Sequence, residues 1–513
     1  MGFFDRTAAP ELVMALRKAP SIAELTDHIG PQQEARFRKA VARLCQARLV
    51  EEAGEPGYLD AHPLVRVYFQ EELQRERPKA WQEGNLRLYE YLKKAAPEFP
   101  ETLETMEPLY AAVVHGCRAG RQQDAMDEVY RRRIQRGNAF YSSGKLGALG
   151  SNLTALAGFF ARRWDQPSES LAVQWQAFAL NDAAFCMRAL GRLAEAAQPM
   201  QVAMKMRIAL EDWAEAAVSA SNLSELMLSK GEVEHAVAFG EQSVALADRS
   251  GDTFQRISMR TTLADALHQA GRWEESMEAF QQAEAMQAKL KPLYPILYSL
   301  RGHRYCDLLL SREEPEDGSA LDELAGTSEE ARRFRRVCKE VQKRAVQTMK
   351  WATQRRFLLD IALDYLSLGR AHLGLALTPG PDTTGERSDA DFAKAAEQFD
   401  SALRSVRLAG REDDSPRGLL ARATLHRLRR DRAAAAADLS QALEIAERGG
   451  MRLHVCDAHL EWARLDLQQG NAEAAREHVA AARRLVNETG YKRREREVVW
   501  LEGRLKHSGP PPS

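Results

Sequence analysis

The sequence lacks the features that mark a membrane protein or a strongly charged nucleic-acid-binding protein. Its 72 Lys and Arg residues balance 73 Asp and Glu residues, so the formal net charge of -1 creates no overall field toward nucleic acid or membrane. No run of about 18 apolar residues occurs, and no basic start precedes a signal-length apolar stretch. We therefore expect a soluble, cytoplasmic protein with no membrane partner.

Cysteine is scarce, and no CxxC pair occurs. The six cysteines are Cys45, Cys117, Cys186, Cys306, Cys338 and Cys456. This scatter is typical of buried thiols in a reducing compartment. His303 with Cys306, and His454 with Cys456 and His459, are spaced like zinc ligands, but a zinc site needs four ligands that converge. We expect these side chains to belong to the core and expect no bound metal.

Catalytic motifs are missing as well. Neither HExxH nor GxSxG occurs. A phosphate-binding loop requires G-x-x-x-x-G-K-[ST], and the nearest segment, Ala139 to Leu146, lacks the first glycine and has leucine in place of the hydroxyl residue. We expect no enzymatic activity and no cofactor.

The sequence does contain glycines at intervals of 40 residues, in two series. The first series is Gly191, Gly231 and Gly271, and the second is Gly410, Gly450 and Gly490. A small residue follows each glycine of the first series five positions later. Glycine ends a helix in the left-handed conformation without Cβ strain, and a small residue on the next helix lets the two backbones approach. Evenly spaced turns of this kind predict a stacked helical repeat.

The pattern predicts an all-α fold, a tetratricopeptide-like right-handed superhelix of about seven helix pairs. The predicted pairs are 172–209, 213–249, 254–288, 292–352, 354–409, 414–449 and 451–489, followed by a helix at 491–506. The period exceeds the usual 34 residues, so we expect helices longer by about a turn; an armadillo or HEAT array has a similar period and is the alternative. Insertions are expected at 312–328 and 378–389.

The amino-terminal residues do not share the repeat. The predicted elements are helices at Pro10–Arg17, Ile22–His28 and Gln32–Arg48, then a hairpin formed by Leu49–Glu51 and Tyr58–Asp60 around a turn at Gly54–Gly57. Three helices followed by a hairpin predict a winged helix.

Several segments resemble the regulatory half of a known family. Leu59–Phe69 (LDAHPLVRVYF) resembles the end of the winged-helix domain in bacterial STAND-type NTPases of the NACHT and NB-ARC class, and Gly2–Arg6 resembles the junction that precedes this domain. Segments at 271–287, 297–310, 416–431 and 444–454 resemble the repeat array that follows it. The resemblance implies a winged helix plus tetratricopeptide array without the NTPase core. It implies bacterial signalling or antiphage defence, with a separate NTPase, a TIR-like effector, a caspase-like protease or a foreign protein ligand as partner.

One residue of nucleotide sensing can be carried over from this resemblance. In the family, the histidine of the segment approaches the bound nucleotide and helps to hold the resting state, and the matching residue here is His62. The family's better-known form is Met-His-Asp, whereas this chain has Ala61-His62-Pro63. Proline suits the first turn of a helix. The alternative is that His62 only caps that helix.

Charge is concentrated in one region. Residues 313–330 contain eight acids and no base, and residues 332–356 contain ten Lys or Arg and one acid, Glu340. A helix there would present a basic stripe that consists of Arg332, Arg336, Lys339, Lys343 and Lys350. The stripe predicts a docking surface for an acidic partner, RNA or DNA. The alternatives are a solvated face, neutralisation by the acidic segment, or an autoinhibitory lid.

The third predicted helix offers a second nucleic-acid hypothesis. It carries Arg36, Lys39 and Arg43, which would enter the major groove in a DNA reader. The predicted wing is acidic at Glu51 and Glu52, which argues against DNA.

Together these observations predict a non-enzymatic regulatory, sensor or adaptor protein that binds a protein partner through its array. Inhibition of a protease or another effector is one form that this role could take. The alternative is a winged-helix DNA-binding transcriptional regulator with a sensor array. The predicted domains are a winged helix (1–76), a helical linker with irregular repeats (77–170), repeats (171–311), an acidic insertion (312–330), repeats (331–506) and a disordered tail (507–513).

Overall fold

The computed structural model describes residues 39, 42–49, 51–52, 59–161, 164–313, 328–378 and 388–507. The chain divides into two compact units. Unit 1 comprises Met1–Ser142 and Ser151–Gln176, and unit 2 comprises Ser143–Gly150 and Ala177–Ser513. The first two predicted helices, Arg36, most of both insertions and the end of the tail lie outside the described residues.

A short hairpin precedes α1 (Pro63–Glu76) in unit 1. Strand β1 (Glu51–Glu52) pairs antiparallel with β2 (Leu59–Asp60), at the position predicted for the wing. Of the predicted third helix, residues 39 and 42–48 are described; residues 39 and 42–46 are helical, and residues 47–48 form a turn. The winged helix as a whole stays a prediction.

Among the described residues, six α-helices lie between the hairpin and the array in sequence. They are α1 (Pro63–Glu76), α2 (Pro78–Ala95), α3 (Leu103–Arg118), α4 (Gln122–Asp124), α5 (Tyr141–Leu146) and α6 (Leu149–Leu156), and Ala125–Ile134 is a π-helix after α4. In unit 1, Arg133 of the π-helix is 5% exposed and donates to the carbonyls of Lys93, Ala96, Pro97 and Glu98. This side chain therefore closes the carboxyl end of α2, where backbone acceptors have no helical partner.

The array is tetratricopeptide-like and, within the described residues, has seven helix pairs. The pairs are α7/α8 (Val173–Ala189, Leu193–Ala209), α9/α10 (Trp213–Lys230, Val233–Ser250), α11/α12 (Thr253–Gln269, Trp273–Leu290), α13/α14 (Ser299–Arg312, Glu329–Arg355), α15/α16 (Leu358–Leu377, Asp389–Leu408), α17/α18 (Ser415–Leu428, Arg432–Gly449) and α19/α20 (Arg452–Gln468, Ala472–Thr489), and α21 (Glu495–His507) follows. The predicted fold class is confirmed. No described helix is both long and apolar enough to cross a bilayer.

The turn chemistry is as the glycine spacing predicts. Gly231 and Gly271 have φ values of 77° and 74°. In the repeat that has Arg430 at the equivalent turn position, the arginine adopts the same left-handed conformation, with φ 60°. The small residues five positions after these glycines, Ala236 and Ser276, are fully buried. Each turn therefore combines a left-handed residue with a close contact between helices.

The fourth pair begins later than predicted. Its first helix starts at Ser299 instead of residue 292, and residues 291–298 form a loop. Pro292 and Pro295 lie in this loop. In a helix that began at residue 292, Pro295 would be the fourth residue, where its missing N–H removes a helical hydrogen bond and its ring disfavours helical backbone at Tyr294.

Unit 2 coils until its last pair contacts its earlier pairs. A Cβ added to Gly231 would lie 2.8 Å from Thr489 Cγ2, and one added to Gly271 would lie 3.0 Å from Lys492 Cβ. The turn after α9 therefore contacts the last residue of α20, and the turn after α11 contacts the segment that follows α20. Successive turns of the superhelix are in direct contact, and the first helix of each pair faces inward.

Candidate binding site on the inner face of the array

The first helices of the pairs surround an internal cavity of about 330 Å³ in unit 2. Every one of these seven helices contributes at least one charged side chain to the lining. Among the described residues, the lining includes ten arginines (Arg188, Arg304, Arg370, Arg411, Arg417, Arg427, Arg464, Arg493, Arg494 and Arg496) and eight carboxylates (Glu225, Asp265, Asp307, Asp413, Asp414, Asp457, Glu461 and Glu497). The lining of this cavity is therefore rich in charged groups of both signs.

Glu225 joins three of the inner helices. Its carboxylate accepts hydrogen bonds from Arg304 Nη2 at 2.7 Å and Arg188 Nη1 at 2.5 Å, and Arg304 Nε lies 3.0 Å from Asp265. Burial opposes ionisation of Glu225, but Arg304 and Arg188 together outweigh it and lower the pKa to about 2. The carboxylate is therefore charged and fully paired.

A second cluster lies between α16 and α17. Arg411 donates to Asp413 at 2.7 and 2.8 Å and lies 3.0 Å from Asp414. Burial raises the pKa of Asp413, whereas Arg411 and Arg417 overcome burial at Asp414 and lower the pKa of that carboxyl. The environments of two adjacent carboxylates thus push their pKa values apart.

Asp307, on α13 in the middle of the array, contacts the end of the array. Arg493, from the segment after α20, donates to both carboxylate oxygens of Asp307 at 2.7 and 3.0 Å, and also to Ser311 at 2.6 Å. Arg370 donates to the same carboxylate. Burial raises the pKa of Asp307, but the two arginines hold it well below its usual value. This bidentate contact closes the inner face.

Paired charges continue along α19 and α21. Arg427 donates to Glu461 at 2.6 Å, and Arg494 donates to Asp457 at 2.8 Å and to Glu497 at 3.0 Å. The first pair joins α17 to α19, and the other two join the segment after α20 to α19 and α21.

Arg417 and His454 are among the lining residues that have spare hydrogen-bonding capacity. Arg417 is 37% exposed, and its Nη1 is 3.9 Å from Asp414, too far for a hydrogen bond. The Nδ1 atom of His454 has no hydrogen-bond partner among the described residues. Arg417 can therefore donate to an anionic group that enters the cavity. Burial lowers the pKa of His454 to about 4, so its imidazole is neutral near pH 7.

The structure places the sequence-predicted residues elsewhere. His62 is exposed, and it is the N-cap of α1, where its Nδ1 accepts the Leu64 N–H at 3.3 Å. Pro63 is the first residue of that helix. His62 therefore caps α1, as the alternative interpretation expected. Its role in nucleotide sensing stays a prediction.

The basic stripe lies on one exposed face of α14. Its five members are exposed, whereas Phe334, Val341 and Ala345 on the opposite face are buried. Glu329, from the acidic segment, lies 3.8 Å from Arg332 and 3.3 Å from Arg336. The acidic segment thus pairs with one end of the stripe. The remaining members, Lys339, Lys343 and Lys350, form no ion pair with a described residue.

The structure describes two of the three residues of the DNA-binding alternative and the residues of the zinc sites that the sequence analysis rejected. Lys39 and Arg43 are exposed, and Arg36 lies outside the described residues. His303 Nδ1 lies 2.9 Å from Ser367 Oγ, and Cys306 packs in an apolar cluster. Within the described part of the chain, no group of three His, Cys, Asp or Glu side chains could hold a metal ion.

The inner-face charges were not predicted from the sequence, although a signal for them exists. Glu225 and Asp265 each lie six positions before a turn glycine of the first series. The equivalent positions before Arg430 and Gly470 are Thr424 and Arg464, which also line the cavity. The same 40-residue spacing therefore identifies one inward-facing position in each of these repeats.

No protein-family model matches the sequence, and no curated protein matches it. A crystal structure of a STAND protein with a tetratricopeptide repeat sensor from Pyrococcus horikoshii aligns with 99% of this chain and 63% of its own length, with a TM-score of 0.38 and 13% identity. This chain thus spans less than two thirds of that protein.

Two complexes are also similar. A Rap protein complexed with Competence and Sporulation Factor aligns over 87% of this chain and 99% of its own length, with a TM-score of 0.30 and 10% identity. The TPR2AB domain of yeast Sti1 in complex with pHSP90 aligns over 64% and 98%, with a TM-score of 0.22 and 15% identity. These similarities concern the helical-repeat fold alone, which the helix pairs themselves establish.

Proposed function

We propose that this chain is a non-enzymatic regulatory or adaptor protein that binds a protein partner on the inner face of its array. The observation that supports the proposal most directly is the cavity lined by ten arginines and eight carboxylates, with Arg417 left available. Stacked helical repeats serve as extended binding surfaces. An acidic segment of a partner can pair with Arg417 and can replace internal carboxylates that now hold the other arginines.

The biological context of the proposal rests on the resemblance to the regulatory half of STAND-type NTPases. We place the protein in the cytoplasm, in bacterial signalling or antiphage defence. Its partner would be an effector such as a TIR protein or a caspase-like protease, which the array activates or masks, or a separate chain that supplies the phosphate-binding loop.

Co-purification from native cells with two matched variants tests the binding surface. Arg417→Ala removes the available guanidinium inside the array, and Arg404→Ala removes an exposed guanidinium of α16. We expect the wild type and Arg404→Ala to retain the same partner and Arg417→Ala to lose most of it. Equal recovery of the partner with all three proteins would exclude the inner face as its binding surface. Recovery of no partner, together with turnover of a small substrate, would exclude the proposed adaptor function.

A second candidate is DNA recognition by the amino-terminal residues. It is favoured by the hairpin formed by β1 and β2 and by the exposed Lys39 and Arg43. Binding of duplex DNA should then weaken steeply with salt, and Lys39→Ala and Arg43→Ala should each reduce the salt dependence. Absence of duplex binding at low salt would remove this candidate.

A further inference from the structure

Three cations converge on one phenol beside the fourth helix pair. Lys291 Nζ and Arg355 Nη1 each lie 3.4 Å from the hydroxyl oxygen of Tyr298. The guanidinium carbon of Arg301 lies 5.2 Å from the centre of the Tyr298 ring. The loop before α13, the first turn of α13 and the last residue of α14 bring these side chains together.

The positive charge of this cluster is not neutralised by the surrounding residues. No carboxylate oxygen of a described residue lies within 4.0 Å of Lys291, Arg301 or Arg355. The carboxyl group that interacts electrostatically with Arg301 is that of Asp360, which accepts a hydrogen bond from Ser299. Burial raises the pKa of Asp360, which favours its neutral form. Within the described part of the chain, the cluster thus holds three cations and at most one negative charge, that of Asp360.

Aromatic rings hold the cations in position. Arg355 lies 5.1 Å from the ring centre of Tyr294, and Lys291 and Arg301 lie 5.3 and 4.8 Å from that of Phe254. A cation over a ring is stabilised without losing its charge. Lys291 and Arg355 are also partly exposed, so a ligand can reach them from solvent. The three cations are therefore held in place before any ligand binds. A bound anion would relieve the electrostatic repulsion between them.

We propose that Lys291, Arg301, Arg355 and Tyr298 form a binding site for a phosphate monoester group. Such a group carries about -1.5 to -2 charges near pH 7 and presents three strong acceptor oxygens. Arginine donors match phosphate geometry, and the lysine and the phenol supply two further donors. A single carboxylate would leave most of the positive charge unbalanced. The group can belong to a phosphorylated side chain of a partner or to a phosphorylated small molecule.

Binding of inorganic phosphate, O-phosphoserine and AMP, each titrated at constant ionic strength and followed by ³¹P line broadening, tests the site. The variants are Lys291→Ala and Arg355→Ala. Their matched controls are Lys289→Ala, two residues away, and Arg333→Ala, an exposed arginine of the same helix. We expect phosphate binding by the wild type and both controls, and a roughly five- to tenfold weaker affinity in each cluster variant.

The outcomes separate the sources of the phosphate and can overturn the site. Tighter binding of O-phosphoserine than of AMP indicates a phosphorylated partner, and the reverse indicates a small molecule. Equal broadening in Lys291→Ala and Lys289→Ala, or none in the wild type, would overturn the proposal. Should Arg355→Ala not fold, Lys291→Ala decides, because its partly exposed side chain has no described ion pair to lose. This test does not depend on the inner-face partner.

Discussion

Arg493 and Asp307 are 186 positions apart in the sequence, and the guanidinium of the first donates two hydrogen bonds to the carboxylate of the second. Arg493 also donates to Gln269 at 3.1 Å, so a single side chain from the end of the array contacts α11 and α13. This contact joins the last helix pair to the third and fourth and closes the inner face of unit 2.

Arg493→Ala is expected to destabilise unit 2 by about 2–4 kcal/mol, because it leaves a buried carboxylate with one arginine in place of two. Urea unfolding followed by circular dichroism measures the change, with Arg404→Ala as the exposed control. A double-mutant cycle with Asp307→Asn should show that the two losses are not additive. Additive losses would mean that the two residues do not interact.

Glu225 predicts loss of stability at acid pH. Its folded pKa of about 2 lies below the model-peptide value of 4.5, so its contribution is present above about pH 4.5 and is lost as the pH falls through about 2. The difference corresponds to roughly 3 kcal/mol. Glu225→Gln should be less stable at neutral pH and should lose less stability between about pH 5 and pH 2. The exposed Glu444→Gln should keep the wild-type pH profile.

Asp364 predicts the opposite dependence. Its side chain is buried, Thr348 donates to Oδ1 at 2.6 Å, and Oδ2 has no described partner. Burial raises the pKa to about 8, so the folded state is favoured below about pH 4 and loses stability as the pH rises through about 8. Asp364→Asn should therefore raise the free energy of unfolding by roughly 2–4 kcal/mol near pH 8 and much less near pH 4. An exposed control, Asp389→Asn, should show no such difference.

Two glycines with the same backbone conformation should differ in tolerance of alanine. Gly231 and Gly470 both have φ 77°, but a Cβ would lie 2.8 Å from Thr489 at Gly231 and would meet nothing within 4 Å at Gly470. Gly470→Ala should cost about 1 kcal/mol from backbone strain alone. Gly231→Ala should cost at least about 1 kcal/mol more, because the contact between superhelical turns must shift. Equal losses in thermal unfolding would show that this contact is loose in solution.

The repeat was predictable because its signals are local. The turn at Gly271 and the small Ser276 on the next helix are a few residues apart, so their spacing identifies helix ends without knowledge of the fold. The basic stripe of α14 was also predictable from helical periodicity, and its five members are exposed as expected. Pro292 and Pro295 were present in the sequence as well, and they account for the later start of α13.

The candidate site was less predictable because its members are brought together by the coiling of the array. The position of Glu225 six residues before a turn glycine marks it as inward-facing. Nothing in the local sequence shows that Arg304 and Arg188, which come from two other helix pairs, are its partners. The cluster around Tyr298 likewise joins a loop to the far end of a helix that begins 31 residues later.

The sequence by itself thus determined the helix pairs, their turns and the exposed stripe, because these depend on residues within one or two helical turns of each other. The tertiary structure decided which charges face inward, that Arg493 meets Asp307, and that Lys291 and Arg355 share one phenol. These contacts depend on the superhelical rotation between pairs, which accumulates over hundreds of residues and is set by packing between helices.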